Sequence, residues 1–459
     1  MDVNSAQNPP PLLDLVLDTS SPKEPIAHSS KYDSKVVSLA KTFIGDFSIA
    51  LEKCNIARVM ELIHPHGWWR DKLALSWEFR TVHDHYNIEQ FLTTYLRKAQ
   101  FYSMEIEHGK TPLLVDGKGR FTWIQVFFKF ETEKARGRGI IRLQQEGMDW
   151  KAFTIFTNMS ELKGYEEKIG LYRSCGAIDG EHLGRKSWAE QRREALEKAD
   201  PEVLIVGGGQ AGLCIAARLS MLGVDALVVE KENRIGDNWR KRYESLVLHD
   251  PVWFHHLPYN PFPESWPIFP AKDQLADWLE SYVKSLELNA WTGTTIERST
   301  FDEQAKRWTV EVNRKDGANR TLNPAHIVLA TGVSGEPNIP VFKGMDNFKG
   351  KVHHSSAHTT GKSWSGRKAI VIGSGNSGHD IAQDFYEHGA DVTMVQRSST
   401  YVCSKKNAVK LFFQGLYEEG GPLTKDADLI FASMPNPVVA MLQQIKAKEL
   451  ADLDREILD

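Results

Sequence analysis

Two copies of one glycine motif bound what this chain can fold into. The first lies in Pro201 to Trp239, PEVLIVGGGQAGLCIAARLSMLGVDALVVEKENRIGDNW. Val203 to Val206 is a short apolar β run, and Gly207, Gly209 and Gly212 follow in the order G-x-G-x-x-G. Gln210 and Ala211 open a stretch of helical spacing to Leu222, and Asp225 to Glu230 reads as a second strand ending in an acid. Gly207 allows the tight strand-to-helix turn, Gly209 lets backbone approach a pyrophosphate, and Gly212 lets helix pack closely on strand. The helix start supplies free N–H groups and a positive dipole end for phosphates. Glu230, followed by Lys231, stands where a carboxylate holds ribose hydroxyls. An ordinary βαβ turn leaves three glycines and the acid unexplained, so the spacing predicts dinucleotide binding.

The second copy is Lys368 to Arg397, KAIVIGSGNSGHDIAQDFYEHGADVTMVQR. Gly373, Ser374, Gly375, Asn376, Ser377 and Gly378 form its turn after a strand at Ala369 to Ile372. The next strand, Asp391 to Val395, ends in Gln396 and Arg397 instead of an acid. Arginine there suits a 2′-phosphate that a carboxylate would repel. The first site therefore reads as FAD-binding and the second as NADPH-binding, with hydride passing from NADPH to the flavin. Ala330, Thr331 and Gly332 end a further strand from His326, and the turn they form is expected beside the first nucleotide.

Composition sets the remaining bounds. At 459 residues, 41% hydrophobic and 25% charged, with net charge −4, the chain has room for about three domains and no basic character suited to nucleic acid. Cys54, Cys175, Cys214 and Cys403 form no C-x-x-C, as in a reducing, cytoplasmic setting. No long apolar run predicts a membrane span, and no signal-peptide core opens the chain. A homodimer is left open.

The expected organisation is a disordered start over 1–32, an α+β domain over 33–165, a linking-helix region over 166–200, an FAD-binding domain over 201–335 and an NADPH-binding domain over 336–459. In the α+β part, helices from Ser34 and at Ile56 to Ile63 precede strands at Phe121 to Phe130, Gly139 to Gln144 and Trp150 to Thr157. That order, with Trp68-Trp69-Arg70-Asp71 after the second helix, resembles the nuclear-transport-factor-like (SnoaL-like) cone fold. His64, His66, His83, His85, Asp71 and Asp84 gather in the same region. They suit the wall or rim of a pocket better than a metal or acid–base site, and no metal is expected. Ser187 to Ala199 reads as an exposed linking helix.

Between the glycine motifs, FKGKVHHSSAH places Phe348, Gly350, His354 and Ser355 in the pattern F-x-G-x-x-x-H-S. With the paired motifs, this stretch resembles the class B flavin-containing monooxygenases, from about Glu202 to the end of the chain. Tyr243 to Pro251 (YESLVLHDP), followed by LPYNPFPESWP, resembles the plant YUCCA monooxygenases most. Animal-type members have Thr-Asn where this chain has Leu248 and His249. The sequence departs again at His358, where the family pattern has Tyr or Phe, and at Gly236-Asp237-Asn238-Trp239.

The resemblance implies an α/β fold of two Rossmann-type βαβ domains, the NADPH domain inserted in the FAD domain, behind an α+β cone-fold domain. It implies an NADPH- and FAD-dependent monooxygenase in which dioxygen adds to reduced flavin and the resulting 4a-hydroperoxide oxygenates a small-molecule substrate. NADP⁺ shields that peroxide from water. It makes Phe348, Gly350, His354 and Ser355 the link between the two sites and puts Trp239 among the cofactor contacts; His249, in place of the animal-type asparagine that assists the flavin peroxide, and His354 are the candidate catalytic residues. A flavoprotein reductase and a nucleotide-binding protein without turnover are the competing readings; the absence of C-x-x-C argues against a disulfide reductase.

The final expectation concerns the end of the chain. The stretch from Pro437 stops in a helical pattern at Ile457-Leu458-Asp459, without the Gly or Asn that usually ends a helix. The family's closing F-A-T-G-Y segment is absent. A truncated chain with weak FAD retention is expected.

Overall fold

A computed structural model describes residues 34–116, 121–176, 186–333 and 335–455. The predicted disorder over 1–32 and the last residues of the predicted C-terminal helical stretch, 456–459, lie outside these. The chain forms two compact units: residues 1–166 together with 403–459, and residues 167–402.

The first unit opens with helix α1 (Ser34–Glu52), whose spaced apolar residues Ala40, Phe43, Phe47 and Leu51 are buried, and helix α2 (Ile56–Leu62), capped by the Asn55 side chain. Strands β1 (Ile63–Lys72) and β2 (Phe79–His83), helix α3 (Asp84–Ala99) and strands β3 (Tyr102–Ile106), β4 (Leu113–Asp116), β5 (Thr122–Glu131), β6 (Ala135–Glu146) and β7 (Asp149–Leu162) follow. They make one sheet in the order β2-β1-β7-β6-β5-β3, with β4 pairing β5. The pairs are antiparallel except β1 with β7.

Strand alternation sorts the Trp68-Trp69-Arg70-Asp71 run onto two faces. Trp69 is buried in the core with Phe47 and Phe91, and its indole N–H donates to Thr157 Oγ1 at 3.0 Å. Trp68 stacks on His83 at 3.9 Å between ring centroids. A Cβ at Gly137 or Gly139 would fall 2.1–2.2 Å from the Phe130 or Phe128 ring. Those glycines are what let the cross-strand rings lie flat on β6.

The C-terminal segment forms α8 (Lys405–Phe412), α9 (Thr424–Ser433) and α10 (Asn436–Leu453); α9 packs on β6 of this sheet, and α8 packs with α10. Ile140 and Phe156 bury Leu429 of α9. Asp426, 1% exposed at its side chain, pairs with Arg138 at 2.6 Å and with Lys110. The fully buried Arg142 donates to Ser433 Oγ at 2.8 Å, Gln125 Oε1 at 3.1 Å and Thr154 Oγ1 at 3.3 Å. Residues 403–459 were expected to complete the NADPH-binding region over 336–459; the structure places them with the front unit instead. The apolar stripe of α9 reads the same in sequence whichever sheet it covers, and only the fit to Ile140, Phe156 and Arg142 decides.

The second unit carries both glycine motifs. After helix α4 (Trp188–Glu197), which has a Ser187/Glu190 capping box, come β8 (Val203–Val206), α5 (Gln210–Met221), β9 (Ala226–Val229), α6 (Lys272–Ser285) and β10 (Ala290–Trp291). An antiparallel sheet of β11 (Thr294–Asp302), β12 (Arg307–Arg314) and β13 (Arg320–Leu322) precedes β14 (His326–Leu329). The order β10-β9-β8-β14 is parallel throughout, the α/β arrangement expected of a dinucleotide fold. The second motif repeats it in β15 (Lys368–Ile372), α7 (Asn376–Glu387) and β16 (Asp391–Val395), with β15 and β16 parallel. Leu329, Ile370, Ile372 and Val395 are exposed.

Candidate functional site

At the first turn, Gly207 takes φ +110°, a conformation suited to glycine, and its N–H donates to Val229 O at 2.8 Å. A Cβ there would sit 2.4 Å from Ala330 O, so the Ala330-Thr331-Gly332 segment presses directly on the turn. A Cβ at Gly212 would fall 2.0 Å from Gly207 O, whereas one at Gly209 would meet nothing nearer than Asn238 Nδ2 at 4.0 Å. Gly207 and Gly212 are thus required by the protein's own packing, and Gly209 faces open space. Helix α5 begins at Gly209 with no side-chain cap, which leaves its first N–H groups facing that space.

Glu230 reaches back to this turn. Its carboxylate accepts the Gly208 N–H at 2.7 Å and the Glu232 N–H at 2.9 Å. Trp239 donates its indole N–H to Gln210 Oε1 at 3.3 Å, so the end of the predicted stretch closes onto the start of α5. Ala211 and Lys231 are exposed.

The second turn has the same build. Gly373 takes φ +113° and donates to Val395 O at 3.0 Å. A Cβ at Gly378 would lie 2.4 Å from Gly373 O, and one at Gly375 would meet nothing within 4 Å. Helix α7 starts at Gly375 without a side-chain cap. Ser374 Oγ bonds Thr400 Oγ1, and Arg397 is exposed just beyond β16. Both turns therefore offer an uncapped helix start, an open glycine and a polar group after the following strand. These are the parts a dinucleotide requires.

The remaining predicted residues divide. Phe348 is 57% exposed, and a Cβ at Gly350 would fall 2.5 Å from its ring. His354 Nδ1 accepts the Ser356 N–H at 3.2 Å and so caps the short turn Ser355–Ala357. His249 is exposed, and among the described residues no hydrogen bond joins it to either turn or to the Phe348–Ser355 segment.

Sequence reasoning missed a second set of residues. His358 is 2% exposed, and its Nε2 lies 2.7 Å from Asp384 Oδ2. The same oxygen accepts the Gly361 N–H at 2.7 Å, and His388 Nδ1 lies 3.1 Å from Oδ1. One turn earlier on α7, Asp380 accepts the Tyr243 hydroxyl. Burial, then that carboxylate, push the Tyr243 phenol above its ordinary value, so it remains a donor. Two acids spaced i, i+4 directly after G-x-G-x-x-G were the available signal.

In the front unit, the histidine-rich run does not converge. His85 Nε2 lies 2.9 Å from Ile63 O, while the His64 and His66 rings are tilted by 48° with centroids 5.9 Å apart. Asp71 is fully buried and accepts from Thr157 Oγ1, Leu75 N and Ser76 N. Among the described residues no group of His, Cys, Asp and Glu could hold a metal ion. A cavity of about 260 Å³ is lined by other residues, including Trp77, Tyr95, Lys98 and Lys134.

Comparison with known proteins bears on the stretch that holds the paired turns. Residues 204–412 match the pyridine nucleotide-disulphide oxidoreductase family. The chain is 38% identical over 219 residues to indole-3-pyruvate monooxygenase YUCCA1 of Oryza sativa subsp. japonica, covering 48% of this chain and 52% of that protein. It is 34% identical over 227 residues to the probable indole-3-pyruvate monooxygenase YUCCA3 of Arabidopsis thaliana, covering 48% and 51%. Over about half its length the chain is thus similar to the YUCCA-like flavin monooxygenases, as the sequence motifs implied. A flavin-containing monooxygenase structure from Stenotrophomonas maltophilia matches with 26% identity and a TM-score of 0.42, over 50% of this chain and 68% of that one. The chain spans about half the length of the relatives it matches.

Proposed function

We propose that this chain belongs to an NADPH- and FAD-dependent monooxygenase. The observation that carries the reading is the duplicated turn: two uncapped helix starts with open glycines at Gly209 and Gly375, the first bonded to Glu230 and the second followed, two residues past β16, by Arg397. The residues fit the groups they would hold. Gly207, Gly209, Gln210, Ala211, Gly212, Glu230 and the Ala330–Gly332 turn would hold FAD; Gly373 to Gly378 and Arg397 would hold NADPH. Bound flavin supplies hydride acceptance and oxygen activation. The protein's part is to bind the two nucleotides, orient one toward the other and keep water out.

The overall balance is NADPH, a proton, dioxygen and substrate giving NADP⁺, water and oxygenated substrate. The names of the relatives point to a 2-oxo acid with an aryl side chain as the substrate class. Disulfide chemistry is disfavoured because Cys54, Cys175, Cys214 and Cys403 form no C-x-x-C. Free cysteines also support a cytoplasmic location, and among the described residues no helix is long and apolar enough to cross a membrane. We read the front unit as a nuclear-transport-factor-like cone, supported by its helices packed on a mostly antiparallel sheet.

The test is the visible spectrum of the purified protein. Flavin bands that bleach anaerobically with NADPH and return with air, with oxygen and NADPH consumed together in the presence of substrate, are the expected result. Bleaching that requires an added electron acceptor for turnover would point to a reductase.

A further inference from the structure

The segment carrying Phe348, Gly350 and His354 is tied at its end to the helix that begins at the second glycine turn. His354 caps the turn Ser355–Ala357, and the next residue is the buried His358. His358 Nε2 and Gly361 N both meet Asp384 Oδ2 at 2.7 Å. The approach is close: a Cβ at Gly361 would lie 2.5 Å from Asp384 O. Thr359 O in turn accepts the Glu244 N–H at 2.8 Å. That contact joins the segment to the Tyr243–Glu244 stretch, whose tyrosine is held by Asp380 of the same helix. Tyr243, Ile381 and Phe385 bury one apolar cluster around these bonds.

We propose that Asp384, with Asp380 one turn before it, is a positioning residue. The two carboxylates fasten the Phe348–Ser355 segment and the Tyr243 stretch to the helix whose start receives NADPH. The hydrogen bonds of the two acids go to Tyr243, His358 and Gly361. Their effect is to hold the segments that flank it in one geometry with it, and a displacement of about 1 Å in such a geometry costs on the order of a hundredfold in rate. This rests on the proposed flavin–NADPH reading. His358 is the residue through which Asp384 acts: an aromatic hydrocarbon there would fill the same space but give the carboxylate no donor.

Two readouts test it on the full chain. The first does not involve turnover: trypsin cleavage at Lys349 and Lys351, both exposed. Asp384→Asn and His358→Leu should each speed cleavage there about tenfold, as expected when a local opening is eased by about 1.4 kcal/mol. His358→Gln, which retains an N–H donor, should cleave at close to the native rate. The second is anaerobic flavin reduction. Asp384→Asn and His358→Leu should lower the limiting rate at saturating NADPH ten- to a hundredfold, leave the dissociation constant of NADP⁺ within about twofold, and His358→Gln should restore the rate. Equal behaviour of the Leu and Gln variants in proteolysis would overturn the proposal, as would native cleavage and reduction rates in Asp384→Asn. If the unsubstituted protein is not reduced by NADPH, the functional reading fails, while the proteolysis still decides whether Asp384 pins the segment.

Discussion

The carboxylate of Glu230 accepts the backbone N–H of Gly208 at 2.7 Å. The acid at the end of β9 is therefore fixed against the first glycine turn by the protein's own hydrogen bonds. Glu230→Ala should raise the dissociation constant for FAD ten- to a hundredfold, from loss of charged hydrogen bonds of about 1.5–3 kcal/mol. The measurement is flavin fluorescence titration of the apoprotein. An unchanged constant would remove Glu230 from the flavin site.

Arg397 decides nucleotide choice in the proposed scheme. Arg397→Ala should weaken NADPH ten- to a hundredfold and leave NADH nearly unaffected, because only NADPH carries the 2′-phosphate the guanidinium would pair with. Michaelis constants for both nucleotides check this, and an equal loss for both would contradict it.

The glycines of the first turn separate into folding and binding roles. Gly212→Ala puts a Cβ about 2.0 Å from Gly207 O, an overlap that should cost about 2–3 kcal/mol and lower Tm by several degrees. Gly209→Val adds its side chain to open space, so Tm should hardly move while flavin retention is lost. Thermal melts and flavin per polypeptide on the same two variants test the contrast.

The C-terminal segment should be held to the front sheet by charge. Burial raises the Asp426 pKa, but Lys110 and Arg138 outweigh it and hold the carboxyl below its ordinary value of 3.8. A depressed folded pKa means the stabilisation is complete above the unfolded value and lost as pH falls through the lower folded value. Hydrogen exchange in residues 424–453 should therefore rise steeply below about pH 4. Asp426→Ala should destabilise the segment by about 3 kcal/mol at neutral pH and flatten that acid limb.

Most of the second unit was legible without coordinates. Strands at Val203–Val206 and Asp391–Val395 were predicted with the bounds observed, because a glycine turn after an apolar run leaves little freedom in where a strand ends. The linking helix was legible too, since its cap, Ser187 with Glu190, is local. In the front unit the run His64 to Lys72 was not recognised as a strand. Its alternation is masked by Trp68, which faces out and still buries its ring on His83. Helix α3 was missed in the same polar-aromatic stretch.

What the sequence alone determined is the pair of turns, because steric demands at Gly207, Gly212, Gly373 and Gly378 and the residue after each following strand are set by near neighbours in the chain. Tertiary structure decided what long-range contacts alone can decide. His358 and Asp384 are 26 positions apart, Arg142 and Ser433 are 291 apart, and in each case the polar group takes its meaning from a partner that no local pattern names. The same holds for α9: its apolar stripe required a sheet to cover, and the geometry of Ile140, Phe156 and the charges beside them determined which one.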